Sequence, residues 1–301
     1  MNVTRRVSSP AVALETTLLV HGVPTENSLQ LFQELGSLCM GEGVNPALIG
    51  LVEGRPIAGM TVDELASMLE RGSIPKANTS NLGVLQHWGA SAATTVSATM
   101  EIASAAGIEV FATGGLGGVH QNLWTGGATC NLDISSDLAA MTRFPVAVVA
   151  SGVKSILDVA STRELLESLG VCVIGYQTDS FPAFYSRTSE AGVDARMDSP
   201  EEVAGFVKSE LARACRGILI VNPIPREHEI DSGDFQNWLD AAEDEAEEAG
   251  ATGRGVTPSI LASLHRLSNG RTLEANIDLV KSNTLLASRI AACLHKLRHG
   301  I

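Results

Sequence analysis

The chain has 301 residues, 45% apolar and 18% charged, which is enough to fill a core and argues against disorder as the default. Its 21 Lys and Arg against 34 Asp and Glu give a net charge of −13, so neither a nucleic-acid polymer nor an anionic membrane suits the surface as a whole. Aromatic residues make up 4%, too few for a platform that stacks single strands.

In chain order, the first candidate is Glu15, inside the apolar run Val12–Val20. A lone carboxylate there is costly unless it is used or paired, so a functional group and a buried structural partner are both open readings. A helix is expected over Thr94–Ala106 and a strand over Ile108–Thr113. A glycine-rich loop follows, from Thr113 to His120 (TGGLGGVH). Its glycines let a backbone approach an anion, but they fit a plain tight turn equally well. The loop does not match G-x-G-x-x-G, and no acidic residue on a following strand supports a dinucleotide site. In LDISSDL, Asp133 and Asp137 are four apart and would share a face if helical; such oxygens suit Mg²⁺ or Mn²⁺, while helix capping by Asp133 is the plainer reading.

A strand is expected at Pro145–Ser151, then the loop Ser151–Ser155 carrying Lys154, one of five lysines. Set between an apolar strand and the start of a helix, a partly desolvated Lys154 suits a Schiff-base nucleophile; a phosphate contact and an ordinary surface charge remain open. Next come a helix at Ser155–Leu169, a strand at Val171–Tyr176, a helix at Pro200–Cys215 and a strand at Gly217–Asn222. An acidic helix from near Gly233 reads as a solvated face over Asp240–Glu248, with a metal site the less favoured reading, and Asn276–Leu297 as a packing helix. The nearly continuous apolar strands alternating with helices predict a three-layer α/β/α architecture around a mainly parallel sheet. With no linker or internal repeat, a single domain over residues 1–301 is expected.

The five cysteines, Cys39, Cys130, Cys172, Cys215 and Cys293, are scattered without a C-x-x-C pair, which fits reduced thiols rather than a zinc ribbon or a disulfide framework. The N-terminus has no apolar h-region ahead of Glu15 and no run is long enough for a membrane span, so a cytoplasmic protein is expected.

Collinear motifs carry a resemblance. They are ALETTLLVHGVP (13–24), GVNPALIGLVEGRPIAGM (43–60), ATTVSATM (93–100), VFATGGLGGVH (110–120), DISSDL (133–138), VAVVASGVKSILD (146–158), GVCVIGYQTDSFPAFYSRTS (170–189) and VNPIP (221–225). Together they resemble the pseudouridine-5′-phosphate glycosidase family, which includes indigoidine synthase A-like proteins. The resemblance implies an enzyme that makes or breaks a carbon–carbon bond between ribose 5-phosphate and a planar aglycone. In it, Lys154 corresponds to the lysine that attacks C1′ and forms an imine with ring-opened ribose, and Glu15 to the general acid/base. Asp133 corresponds to the ligand of a divalent metal, usually Mn²⁺ with Mg²⁺ as the alternative. Substrate contacts fall on Lys76, Thr95, Val96, Thr113, His120, Ser135, Ser136, Asp137 and Asn276. The resemblance also implies a homotrimer.

Two segments depart from the family pattern. Where the family carries Ser-Arg-Arg-Asp-Leu after the Lys76 position, this chain has KANTSNL (76–82), and after His120 it has the longer QNLWTGGATCNL (121–132) with Trp124. Trp88 also lies in the divergent stretch before ATTVSATM. Lost polar groups and added tryptophan point to a larger, more apolar aglycone pocket. The expectation is a C-glycosynthase of the alnumycin type, joining ribose 5-phosphate to an aromatic acceptor in secondary metabolism or antibiotic biosynthesis. The alternatives are a pseudouridine-5′-phosphate glycosidase acting on uracil and ribose 5-phosphate, and a non-catalytic ribose-phosphate binder.

Overall fold

The computed structural model describes residues 1–120, 133–248 and 256–300. In chain order the strands are β1 (Thr4–Arg5), β2 (Ala11–Glu15), β3 (Asn45–Val52), β4 (Arg55–Ala58), β5 (Lys76–Ala77), β6 (Ala92–Thr94), β7 (Val110–Ala112), β8 (Val119–His120), β9 (Ala147–Ala150), β10 (Leu157–Asp158), β11 (Val173–Tyr176), β12 (Ala195–Met197) and β13 (Ile218–Val221). The helices are α1 (Thr25–Gly41), α2 (Val62–Glu70), α3 (Leu82–His87), α4 (Val96–Ala105), α5 (Ser136–Met141), α6 (Val159–Ser168), α7 (Pro200–Ala214), α8 (Ser232–Glu248), α9 (Val256–Leu267) and α10 (Arg271–His299). A single π-helical turn, Leu18–Gly22, follows β2.

The main sheet runs β1-β4-β3-β2-β7-β9-β13-β11-β12, with β6 pairing β3 and β5 beside it. Among the described residues, only the β3–β4 and β3–β6 pairs of this sheet are antiparallel and the others are parallel. The sequence dictates why this sheet is covered on both sides. Ala11, Ala13, Phe111, Val148, Leu219 and Val221 enter one core with residues of α3, α4, α5 and α6. Their alternates Val12, Leu14, Val110, Val149, Ile218 and Ile220 enter a second core with residues of α1, α2, α7 and α10. Successive side chains point to opposite faces, so a strand such as Ala-Val-Val-Ala can satisfy two cores only if both are apolar. The expected mainly parallel α/β/α arrangement is the one observed.

The expected strands at 108–113, 145–151, 171–176 and 217–222 appear in shortened form as β7, β9, β11 and β13. The helix expected from Ser155 begins only at Val159. Leu157 and Asp158 are first used as β10, pairing antiparallel with β8. Asp158 then caps α6 by accepting a 2.8 Å hydrogen bond from the Ser161 amide, a start signal that an apolar period alone does not reveal. Among the described residues, no helix is long and apolar enough to cross a membrane.

Candidate functional site

Because β2, β7, β9 and β13 are parallel neighbours, their carboxyl ends share one edge, where ligands of such sheets bind. That edge carries Glu15 at the end of β2, Thr113 after β7, Ser151 after β9 and Asn222 after β13. The two loops singled out in the sequence lie side by side and are bonded to each other. The Ser151 amide donates to the Gly114 carbonyl (2.8 Å), the Leu116 amide to Gly152 (2.9 Å) and the Lys154 amide to Leu116 (3.1 Å). Helix α10 locks both from beneath through Asn283. Its Nδ2 donates to the Thr113 carbonyl at 2.8 Å and to Ser151 Oγ at 3.0 Å, while its Oδ1 accepts from Asn222 Nδ2 at 2.9 Å. Asn283 is fully buried, so Asn283→Ala is expected to strand several polar groups and lower stability by about 2–4 kcal/mol. A lower urea midpoint at unchanged slope in equilibrium unfolding checks this.

A cavity of about 110 Å³ opens at this edge, with Glu15, Lys76, Lys154 and Asn276 among its lining residues. Glu15 is 7% exposed and its Oε1 accepts a 2.5 Å hydrogen bond from the Thr113 hydroxyl. Burial holds its carboxyl above the usual carboxylate range, against the pull of the Lys154 ammonium and the Thr113 hydroxyl; Asp137 pushes it further up and Lys76 down. Burial and the neighbouring Lys154 charge lower the Lys76 amine, opposed by Glu15. Asn276 is 9% exposed and its Oδ1 is a buried oxygen without a hydrogen-bond partner. Such an acceptor in a cavity wall is suited to a ligand hydroxyl.

Other predicted residues stand beside this cavity rather than in its lining. Ser135, Ser136, Asp137 and Thr95 form one hydrogen-bonded cluster around Ser97. Asp137 Oδ1 accepts from the Ser97 amide (2.9 Å) and Oδ2 from the Gly117 amide (3.0 Å). Ser97 Oγ lies 3.0 Å from Ser136 Oγ and 3.2 Å from Thr95 Oγ1, and Ser135 Oγ accepts from the Asp137 amide (3.2 Å). Val96 is buried at the start of α4. His120, on β8, has its Nε2 3.8 Å from Asp133 Oδ2.

Four expectations need correction. Lys154 is exposed rather than partly desolvated, because a turn and β10, not a helix, follow it. Asp133 and Asp137 share no helical face, since α5 starts at Ser136 and Asp133 precedes it. The N-cap of α5 is Ser135, not Asp133. In the glycine loop the Leu116, Gly117 and Val119 amides are not free for an anion, since they already serve Gly152, Asp137 and Thr162. Gly117 is required for packing instead: a Cβ there would meet Ser135 Oγ at 2.3 Å. Gly152 has φ of +80° and its Cβ would meet the Pro182 carbonyl oxygen at 1.8 Å, so only glycine fits beside the lysine loop.

For a divalent ion the two predicted aspartates differ. Asp133 exposes 72% of its side chain, whereas both Asp137 oxygens are committed to backbone amides. Among the described residues, no group of three His, Cys, Asp or Glu could hold a metal. This set suits a hard ion carried mostly by water and substrate oxygens, not a protein cage. The divergent segment 121–132, with Trp124 and Cys130, lies outside the described residues.

Sequence reasoning missed Thr17, His21, Phe184, Tyr185 and His265, all of which line the cavity. Phe184 and Tyr185 belong to the motif stretch 170–189 and could have been read as an aromatic wall; they pack edge to face with centroids 4.7 Å apart. Phe184 also holds a left-handed φ of +61°, a strain that collects at functional sites. His21 lies on the π-helical turn, a feature frequent at such sites. No local pattern marks His265.

The family model for indigoidine synthase A-like proteins matches residues 2–293. The pseudouridine-5′-phosphate glycosidase of Symbiobacterium thermophilum is 41% identical over 286 residues, 95% of this chain and 92% of the relative. That of Fervidobacterium nodosum is 42% identical over 286 residues, 95% and 94% of the two chains. Among solved structures, an indigoidine synthase A-like protein from Thermotoga maritima aligns with a TM-score of 0.87 at 36% identity, covering 96% of this chain and 95% of the other. The prealnumycin C-glycosynthase AlnA, solved in complex with ribulose 5-phosphate, aligns with a TM-score of 0.89 at 30% identity over the whole of both chains.

Proposed function

The chain belongs to the indigoidine synthase A-like family, and from that premise we propose that it is a pseudouridine-5′-phosphate glycosidase, cleaving or forming the carbon–carbon bond between uracil and ribose 5-phosphate. The relatives near 40% identity carry that name, which reverses the order expected from the divergent segments, where a C-glycosynthase stood first. The observation that carries the reading is the gathering of Lys154, Lys76 and a buried Glu15 around one cavity.

A C-glycosidic bond has no heteroatom leaving group, so protonating an exocyclic oxygen, as in ordinary glycosidases, does not help. The Lys154 amine attacks C1′, the C1′–N bond forms and the C1′–O4′ bond breaks. Glu15, whose protonated form burial favours, delivers the proton to O4′. The uracil carbon then takes a proton and the C1′–C bond breaks, its electron pair staying with the uracil ring. The nitrogen lone pair forms C1′=N, and water hydrolyses this imine to release ribose 5-phosphate. Lys76 serves as a cationic partner for the sugar phosphate, and the free Asn276 Oδ1 accepts from a sugar hydroxyl. Remote phosphate binding orients the reacting carbon. Asp133 would hold a divalent ion, Mn²⁺ or Mg²⁺, which when bound supplies positive charge to substrate oxygens.

The purified protein given pseudouridine 5′-phosphate with Mn²⁺ is expected to release uracil at a rate in the ordinary enzyme range, about 1–10³ s⁻¹. Absence of uracil release, with ribose 5-phosphate still bound, would overturn the reading in favour of a binding protein. The likeness to AlnA over both whole chains, together with the altered 76–82 segment, favours a C-glycosynthase as the second reading. It predicts slow uracil release and efficient joining of ribose 5-phosphate to a polycyclic phenol.

A further inference from the structure

The cavity brings charged and apolar side chains together, and its ionisable residues differ in their surroundings. Glu15, Lys76 and Lys154 act on one another's charge, and His21 also feels Lys76. His265 stands apart from that network, since only burial moves its imidazole below the usual range. It reaches the cavity from α9, and Leu18, Ile156, Phe184 and Tyr185 supply the apolar part of the same lining.

The ring of His265 is anchored. Its Nδ1 lies 2.8 Å from Thr272 Oγ1, on α10, and Thr272 Oγ1 lies 3.0 Å from Ser268 Oγ. Thr272 and Ser268 are buried, so the contact fixes the ring and leaves Nε2 for an occupant of the cavity. An imidazole held in this way, its neutral form favoured by burial, presents one directional polar atom to an apolar wall. That is the requirement for reading the polar edge of a flat ring whose faces meet Phe184, Tyr185 and aliphatic side chains.

We propose that His265 is a specificity-determining residue of this site, its Nε2 hydrogen-bonding the carbonyl or N–H edge of a planar heteroaromatic aglycone while the sugar phosphate occupies the lysines. The assignment rests on the function proposed above. It adds the C-terminal helix α9 to the elements that recognise the aglycone, whereas the two lysines given to the sugar phosphate come from β5 and the loop after β9.

The test uses the full-length protein in the synthetic direction, with ribose 5-phosphate and uracil as the probes. In His265→Leu the KM for uracil is expected to rise about ten-fold or more, as expected when a directional hydrogen bond is lost. His265→Gln, which can still donate and accept, is expected to recover part of that loss. Borohydride trapping of ribose 5-phosphate on Lys154 is expected to stay within about two-fold of wild type in both variants, since one polar contact to the other half of the substrate is changed. An unchanged uracil KM in His265→Leu overturns the assignment. So does a parallel fall in trapping, uracil affinity and melting temperature, which marks a structural role through Thr272. If wild-type protein traps no sugar, the proposed function itself fails; trapping without any joining of uracil overturns both the uracil reading and the role given to His265.

Discussion

Lys154→Ala is expected to reduce turnover of pseudouridine 5′-phosphate by on the order of 10⁴-fold or more, because the covalent route disappears with the amine. The position of the side chain is why no neighbour should replace it. The Lys154 amide is tied to the Leu116 carbonyl at 3.1 Å, and Gly152 two residues earlier admits no Cβ against Pro182. The loop is therefore held at one height above β9, and its lysine is delivered beside Glu15. Lys76 lines the same cavity from a different element, β5, paired in register with β6, so it cannot reach the same approach to C1′ without moving the strand. The fold should survive the substitution, as Lys154 is exposed and makes no side-chain bond to a described residue. An unchanged melting temperature with lost turnover is the expected pair of readings.

Glu15→Gln is expected to lower turnover by about 10²–10⁴-fold, the usual worth of a positioned proton donor, while imine formation with ribose 5-phosphate persists. The same change carries a stability signature whose sign follows from the burial of the carboxyl. Its pKa is raised in the folded protein, so folding favours the protonated form. The associated stability is fully present below the unfolded carboxylate pKa and is lost as pH rises through the higher folded value. Glutamine, which never ionises, removes that loss. The melting temperature of Glu15→Gln is accordingly expected to exceed that of wild type most at alkaline pH, with the gap closing under acidic conditions. A gap that widens toward acid would mean that the Lys154 and Lys76 charges outweigh burial. Function and stability thus oppose each other at this residue, as expected where a site keeps a carboxyl in an apolar strand end.

These two residues were legible in the sequence for physical reasons. A carboxylate within AVALE and a lysine just past PVAVVAS break an apolar pattern at strand ends, and strand ends are where a parallel sheet binds ligands. The sheet itself was legible because β9 and β13 must be apolar on both faces. What escaped was whatever depends on boundaries or on distant pairing. Asp133 and Asp137 look equivalent in DISSDL, yet the helix starts between them: Asp137 is turned into bonds with the Ser97 and Gly117 amides, and Asp133 stays exposed. The exposure of Lys154 depends on β10 interrupting the expected helix, a pairing with β8 that lies more than thirty residues away. His265 and Asn283 reach the site only because α10 packs against β2, β7 and β9 and contacts α9, and no local period announces that. The short β1, β5 and β12 at the sheet's margins likewise depend on partners and not on their own two or three residues.

The covalent role of Lys154 is the claim on which the rest depends, and it can be read directly. Wild-type protein is incubated with ribose 5-phosphate and borohydride, digested, and its peptides weighed. The account predicts one reduced sugar-phosphate adduct, on the peptide containing Lys154, absent from Lys154→Ala and retained in Glu15→Gln. An adduct confined to Lys76, or none on any lysine while ribose 5-phosphate still binds, would contradict it.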